Sequence, residues 1–315
     1  MKKLTIIKLD HVKIPGILQE LAEELRLRLY EYKVGILKPR WFVMRRFGRF
    51  IALRNLIQRI QKKRTANVDS FSTETQVSPS LFPDLNCQTI AENLAKDGYH
   101  AGFKLPESCI QEILSFAYGS PCCANRNSQL SFRYFEHRKA EEKFKTSVVT
   151  ADYFNAEADC SAIEKIAQDS QLIEIAARYL GTKPAYLGSR LWWNFATEAT
   201  SYKRRKAAQF FHYDLDDYCF LKYFFYLTDV TLRSGPHVYI VGTHHQKKLC
   251  HQLLRKRYPD TEIFEAYHQN NVRVLCGKQG FGFVEDTFGF HKGLPPVTED
   301  RLILQLEYAV HNYGM

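Results

Sequence analysis

The chain has 315 residues, enough for one large domain with a sizeable core or two modest ones. Apolar residues make up 45% and charged residues 25%, which excludes a disordered chain, a collagen-like repeat and a multispan membrane protein. The formal net charge of +10 is unevenly placed: of 44 Lys/Arg and 34 Asp/Glu, residues 1–64 hold 17 and 5, leaving 27 and 29 for the rest, so any attraction to anionic partners is aimed at the N-terminal segment.

Lys8 and Asp10 interrupt the basic start too early for a signal-peptide core. No stretch approaches the ~18 apolar residues of a membrane span. Residues 16–32 read as an amphipathic helix, with Leu18, Leu21, Ala22, Leu25 and Leu29 at helical spacing. Pro39 breaks the chain, and 41–63 reads as a second helix. Val43, Phe47, Phe50, Leu53, Ile57 and Ile60 share one side of it, roughly opposite Arg45, Arg49, Arg59, Lys62 and Lys63. Such a helix either lies on an anionic membrane, here the inner membrane surface, or buries its apolar side in protein. Residues 65–83 are polar, Ser/Thr-rich and end in prolines, the composition of a linker. The expected organisation is a basic amphipathic helical segment (1–64), a linker (65–83) and a main domain (84–315).

The main domain opens with helices over about 87–96 and from Pro106 to Gly119. Ser161 and Glu164 have capping-box spacing for a further helix to about Leu180. Strands are then expected at 185–195, 208–215, 218–228, 237–241, 272–276, 281–285 and 301–310. Helices followed by many strands indicate an α+β chain built on a sandwich or barrel. The eight cysteines form no C-x-x-C pair and suggest neither zinc nor a disulfide framework, which fits a reducing cytoplasm. The main domain has net charge −2 and no nucleic-acid-binding module, so nucleic acid is not an expected partner.

Phe210-Phe211-His212-Tyr213-Asp214 carries the chemistry. Residues i and i+2 of a strand share a face, so His212 and Asp214 project an imidazole and a carboxylate side by side. With a second histidine from a neighbouring strand they make a two-histidine, one-carboxylate face for Fe(II) with open positions opposite. The spacing alone fits a hydrogen-bonded structural pair equally well. The basic run Lys203-Arg204-Arg205-Lys206 precedes this strand; it reads either as a solvated loop or as a device for steering an anionic substrate.

Downstream of the H-x-D the chain carries CFLKYFFYLTDV, SGPHVYIVGTHH, DTFGFHKG and RLILQLEYA, in that order. Together with Asp97-Gly98-Tyr99, this pattern over roughly 84–315 resembles the phytanoyl-CoA dioxygenase-like family of Fe(II)- and 2-oxoglutarate-dependent oxygenases. The resemblance implies a double-stranded β-helix, or jelly roll, with flanking helices. It also implies iron ligands at His212, Asp214 and His291, and a cosubstrate arginine at Arg301. An amide at Asn194 and an aromatic ring at Phe225 would lie beside 2-oxoglutarate. The implied reaction uses Fe(II), 2-oxoglutarate and O2 to hydroxylate or otherwise oxidise a small-molecule or lipid-like substrate. Halogenases of this kind lack the carboxylate, and Asp214 is present. Members of the family often carry a hydroxyl residue two positions after the distal histidine, where this chain has Gly293. Gly293 favours an alternative reading, a non-catalytic jelly roll whose basic N-terminal segment binds membrane or a partner; Tyr223 is a candidate replacement for the missing hydroxyl.

Overall fold

The last long strand shows how side-chain alternation builds the molecule. In Arg301–Ala309, Leu302, Leu304, Leu306 and Tyr308 are buried in one cluster with Ile90, Leu94, Ile110, Ile113, Leu172 and Ile175 of the helices. Ile303 joins a second cluster with Trp192, Phe224, Tyr226, Leu275 and Phe283. One face of the sheet therefore carries helices and the other lines a barrel interior, as a period of two requires. The computed structural model describes residues 16–65 and 79–314.

The strands are β1 (Tyr99–Lys104), β2 (Pro121–Ala124), β3 (Ser131–Arg133), β4 (Thr150–Tyr153), β5 (Ala185–Asn194), β6 (Phe220–Tyr226), β7 (His237–Ile240), β8 (Val272–Leu275), β9 (Phe281–Glu285), β10 (His291–Gly293) and β11 (Arg301–Ala309). Eight make an antiparallel sheet in the order β1-β9-β6-β11-β5-β4-β2-β3, and three make a second sheet, β10-β7-β8. This is an α+β protein with a double-stranded β-helix, its large sheet backed by helices. β1 to β4 and β10 were not expected from the sequence. They are three to six residues long, too short for a periodic signal to stand out. The strand expected over 208–215 pairs only at Phe211 with Tyr258 and at His212 with His291.

The N-terminal helices are α1 (Gly16–Leu37), α2 (Pro39–Phe47) and α3 (Ile51–Thr65). The single helix expected over 41–63 is thus two, parted after Phe47. A Cβ on Gly48 would stand 2.7 Å from the Met44 carbonyl oxygen. The chain divides into two units, 1–43 and 44–315. In the first, a Cβ on Gly35 would collide with the Phe42 ring, so only glycine leaves room for that ring. Leu25, Leu29 and Ile36, one stripe of α1, are exposed. No helix among the described residues is long and apolar enough to cross a membrane.

The boundary expected at residue 64 does not coincide with this division. Arg54 of α3 is buried. It donates to the Asp217 carbonyl at 2.9 Å, pairs with Asp286 at 3.8 Å and lies 3.8 Å from the Phe288 ring centre. Ile51 N–H donates to Gln252, and the Arg45 guanidinium donates to the Leu215 carbonyl. Residues 44–65 thus belong to the jelly-roll unit: an arginine that spoils an amphipathic surface helix serves well as a buried counter-ion. Of the expected linker, 66–78 lies outside the described residues. Ser80 and Leu81 bond the Asp169 carboxylate, and Phe82 stacks on Phe225, so the chain is already docked there. Replacing Arg54 by Ala strands Asp286 without its cation and is expected to cost on the order of 3 kcal/mol. Urea unfolding reads this; an unchanged midpoint would show that α3 contributes nothing to the core.

α4 (Cys87–Asp97) and α5 (Glu107–Gly119) match expectation. The helix expected to run from 161 to 180 is interrupted: Asp169 caps a new one, Ser170–Leu180, accepting from the N–H groups of Gln171 and Leu172. Ser161 does not form the capping box. Its hydroxyl donates to Glu112 at 2.7 Å, and Cys160 holds the N-cap position.

Candidate active site

His212 and His291 face each other across two short extended segments. His212 N–H donates to the His291 carbonyl at 3.0 Å, and His291 N–H returns the bond at 2.9 Å. Opposed residues project to the same side, which brings the two rings to 4.3 Å between centres. Asp214, two residues on, shares that side. Its oxygens lie 3.9 Å from His212 Nε2 and 3.7 Å from His291 Nε2. Among the described residues, His212, Asp214 and His291 form the group with metal-ligand geometry, their donor atoms all within 4.8 Å of one another.

The backbone fixes the tautomers. His212 Nδ1 is 2.9 Å from the Phe210 carbonyl and His291 Nδ1 is 3.0 Å from the Gly289 carbonyl. A carbonyl only accepts, so each Nδ1 carries the proton and each Nε2 offers its lone pair to the centre. Burial, with the charges of Arg257 and His291, pulls His212 well below the usual histidine range, and burial also lowers His291. Both rings are neutral at pH 7, the state a metal ligand needs. Burial alone would raise the Asp214 carboxyl, but the Lys222 ammonium bonded to it holds it well below the usual range. Two neutral imidazoles and one carboxylate suit Fe(II) and leave a bound ion a net positive charge.

Lys222 was not foreseen. Its ammonium donates to Asp214 at 2.9 Å and Asp216 at 2.8 Å, and it lies 3.4 Å from Glu307. Burial would lower it, but these three acids hold it well above the usual lysine range. The signal was available, since a lysine in the run FLKYFFY must face something polar.

β6 also settles two other positions. Phe225 points away from the barrel, stacked on Phe82 at 5.8 Å. A Cβ on its neighbour Gly282 would strike its ring. Phe225 is therefore not beside the centre, and neither is Tyr223, whose hydroxyl donates to the Leu172 carbonyl at 2.7 Å. Phe224 and Tyr226, on the opposite face, line the interior. Parity fixed this, because Lys222 and Tyr226 stand an even number of residues apart.

Arg301 opens β11 directly opposite Asn194 of β5. Its Nη2 donates to Asn194 Oδ1 at 2.8 Å, and its Nη1 to the Gly235 carbonyl. Trp192 Nε1 bonds the same Asn194 oxygen at 3.0 Å. Arg301 is 3% exposed, and its buried Nε has no hydrogen-bond partner. A Cβ on Gly293 would come within 2.9 Å of Arg301 Nη2, so glycine makes room for the guanidinium. His237 stacks on His291, and its Nε2 approaches Glu285 Oε1 to 2.7 Å without hydrogen-bond alignment. Burial lowers His237 to about 3 and raises Glu285 to about 8, so this pair adds no charge at neutral pH.

The basic run 203–206 lies in a short helix, Ser201–Lys206. Lys203 is spent on Thr146 and Ser147, which it bonds at 2.7 to 3.1 Å, so the run is part structural.

No protein-family model matches the sequence, and no curated protein matches it. Solved structures similar to the chain include the epimerase SnoN in complex with Fe3+, alpha ketoglutarate and nogalamycin RO, at 14% identity over 73% of this chain and 87% of that one (TM-score 0.48). EctD from S. alaskensis with bound Fe is 17% identical over 76% and 79% (TM-score 0.48). HygX from Streptomyces hygroscopicus, with nickel, 2-oxoglutarate and hygromycin B bound, is 13% identical over 70% and 86% (TM-score 0.46).

Proposed function

We propose that this protein is an Fe(II)- and 2-oxoglutarate-dependent oxygenase of the phytanoyl-CoA dioxygenase-like kind, oxidising a small-molecule substrate. The observation that carries the reading is the convergence of His212 Nε2, Asp214 and His291 Nε2, with both imidazoles locked by backbone carbonyls in the metal-binding tautomer. Bound there, Fe(II) and 2-oxoglutarate supply oxidation of a substrate C–H bond by O2, with 2-oxoglutarate leaving as succinate and CO2.

The chain's own residues set the conditions for this chemistry. Arg301 has a buried fork that suits a carboxylate, and its unsatisfied Nε fits a ligand oxygen. Asn194 and the Gly235 carbonyl hold the fork in place. Trp192, Phe224, Phe283 and Ile303 form the dry wall. Lys222 orients Asp214. The alternative, a non-catalytic jelly roll, rested on Gly293; the space that glycine leaves for Arg301 gives it a role in a working site.

Arg301→Lys keeps the charge but loses the two-pronged grip. The expected result is a KM for 2-oxoglutarate raised on the order of tenfold or more, with a smaller change in kcat. Succinate release against 2-oxoglutarate concentration reads both. An unchanged KM would mean that another group holds the cosubstrate.

A further inference from the structure

The two segments that bear His212, Asp214 and His291 are joined by few bonds of their own. His212 and His291 exchange backbone bonds, and Asp214 N–H donates to the Thr287 carbonyl at 2.8 Å. Tyr213 and Asp214 lie outside any strand, so no ladder of sheet bonds fixes the carboxylate against the second histidine. Side chains alternate along an extended chain. Tyr213 and Phe290 therefore face the opposite way from His212, Asp214 and His291, and they meet behind the site with ring centres 5.6 Å apart. Phe288 joins them there, 5.2 Å from Tyr213.

Two buried cations grip this back surface, and each touches both segments. Lys247 Nζ stands 3.8 Å from the Tyr213 ring centre, 3.9 Å from that of Phe288 and 4.7 Å from that of Phe290, and it donates to the Phe288 carbonyl. Arg54, from α3, reaches the same two segments further along. Its Nη1 donates at 2.9 Å to the carbonyl of Asp217, three residues after Asp214. Its guanidinium lies 3.8 Å from the Asp286 carboxylate and 3.8 Å from the Phe288 ring centre. Asp286 in turn ties the bend that leads into His291: its carboxylate accepts from Phe288 N–H at 2.9 Å, and its own N–H donates to the Gly98 carbonyl at 2.9 Å. Both cations are buried, and Arg54 Nη2 has no hydrogen-bond partner. Burying a cation costs hydration that attraction to its partner barely offsets, so apolar side chains would serve the packing equally well.

We infer that Arg54 and Lys247 are positioning residues for the metal centre, holding the Asp214 segment and the His291 segment at the spacing that brings an Asp214 oxygen to 3.7 Å from His291 Nε2. The inference rests on the reading of His212, Asp214 and His291 as a metal-binding set. Without Arg54, the stretch after Asp214 and the bend before His291 lose their common partner. Without Lys247, Tyr213, Phe288 and Phe290 lose the cation they share. Either loss leaves all three ligands present but free to spread, which lowers metal affinity more than it alters the fold.

The test titrates metal-free full-length protein with Mn(II) and follows binding by calorimetry, with circular dichroism to establish that each variant is folded at the temperature used. Arg54→Met and Lys247→Met are each expected to weaken Mn(II) about tenfold, the lower end of what losing a ligand-orienting partner costs. Arg54→Lys keeps the charge but cannot serve Asp217 and Asp286 at once, so its affinity falls between those of the wild-type protein and Arg54→Met. Ile113→Ala opens a cavity in the helix layer on the other face of the sheet. It destabilises the fold without touching either segment, and its Mn(II) affinity is expected to equal that of the wild-type protein. Wild-type affinity in folded Arg54→Met and Lys247→Met, or an equal loss in Ile113→Ala, would overturn the inference. Where Arg54→Met does not fold, Arg54→Lys decides, and wild-type affinity there overturns it. A wild-type protein that takes up no Mn(II), or takes it up equally well as His291→Ala, would instead reject the metal-binding set itself.

Discussion

Replacing His291 by Ala is expected to abolish 2-oxoglutarate-dependent succinate formation, a loss on the order of a thousandfold or more. Partners that only orient a ligand typically account for 10- to 100-fold, and His291 is itself a donor. Two remaining groups make an incomplete face, so metal retention falls with turnover. The fold should survive. What joins His291 to His212 is a pair of backbone bonds at 3.0 and 2.9 Å, which alanine keeps. Succinate assay, bound-metal content and circular dichroism together separate lost chemistry from unfolding. Near wild-type turnover with a normal spectrum would remove His291 from the ligand set. The same experiment on His212 should give the same result, because the two histidines are equivalent in tautomer, burial and distance to Asp214.

Lys222→Met should expose a competition at the centre. In the metal-free protein the Lys222 ammonium is the cation on Asp214 and Asp216. Taking it away leaves two half-buried carboxylates beside each other without a cation, a cost on the order of 3 kcal/mol. Tm of the metal-free protein should fall on the order of 10 °C. A divalent ion then replaces the missing charge, so added Mn(II) should raise Tm more in the variant than in the wild-type protein. Differential scanning calorimetry with and without Mn(II) decides the matter. Equal metal-induced shifts in the two proteins would show that Lys222 and the metal do not share Asp214. A Tm unaffected by the substitution would show that Lys222 does not balance these acids.

Helix-sized and strand-sized periodic segments were legible wherever they were long. β5, β6, β9 and β11 fall within a residue or two of expectation, because each alternates between a helix-covered and a barrel-facing side over five or more residues. β10, three residues long and bearing His291, gives no such signal. The helix expected over 41–63 misses the break at Gly48, and its Arg54 looks like a flaw in an amphipathic pattern. Its partner Asp286 lies 232 positions away, beyond the reach of any local pattern. Phe225 illustrates a smaller failure. Resemblance placed an aromatic ring near the cosubstrate but could not fix parity, and the neighbouring Tyr226 is the residue that faces inward.

The sequence by itself determined the class of the fold, the last strand opening at Arg301, and the pairing of an imidazole with a carboxylate at His212 and Asp214. These are local properties: a period of two, or a spacing of two, constrains side chains whatever surrounds them. Tertiary structure alone decided that Lys222 occupies Asp214 and that Arg54 reaches Asp286 from the other end of the chain. Sheet pairing across long connections creates those contacts. Their energies depend on burial and on distances between charges, which the order of residues along the chain does not contain.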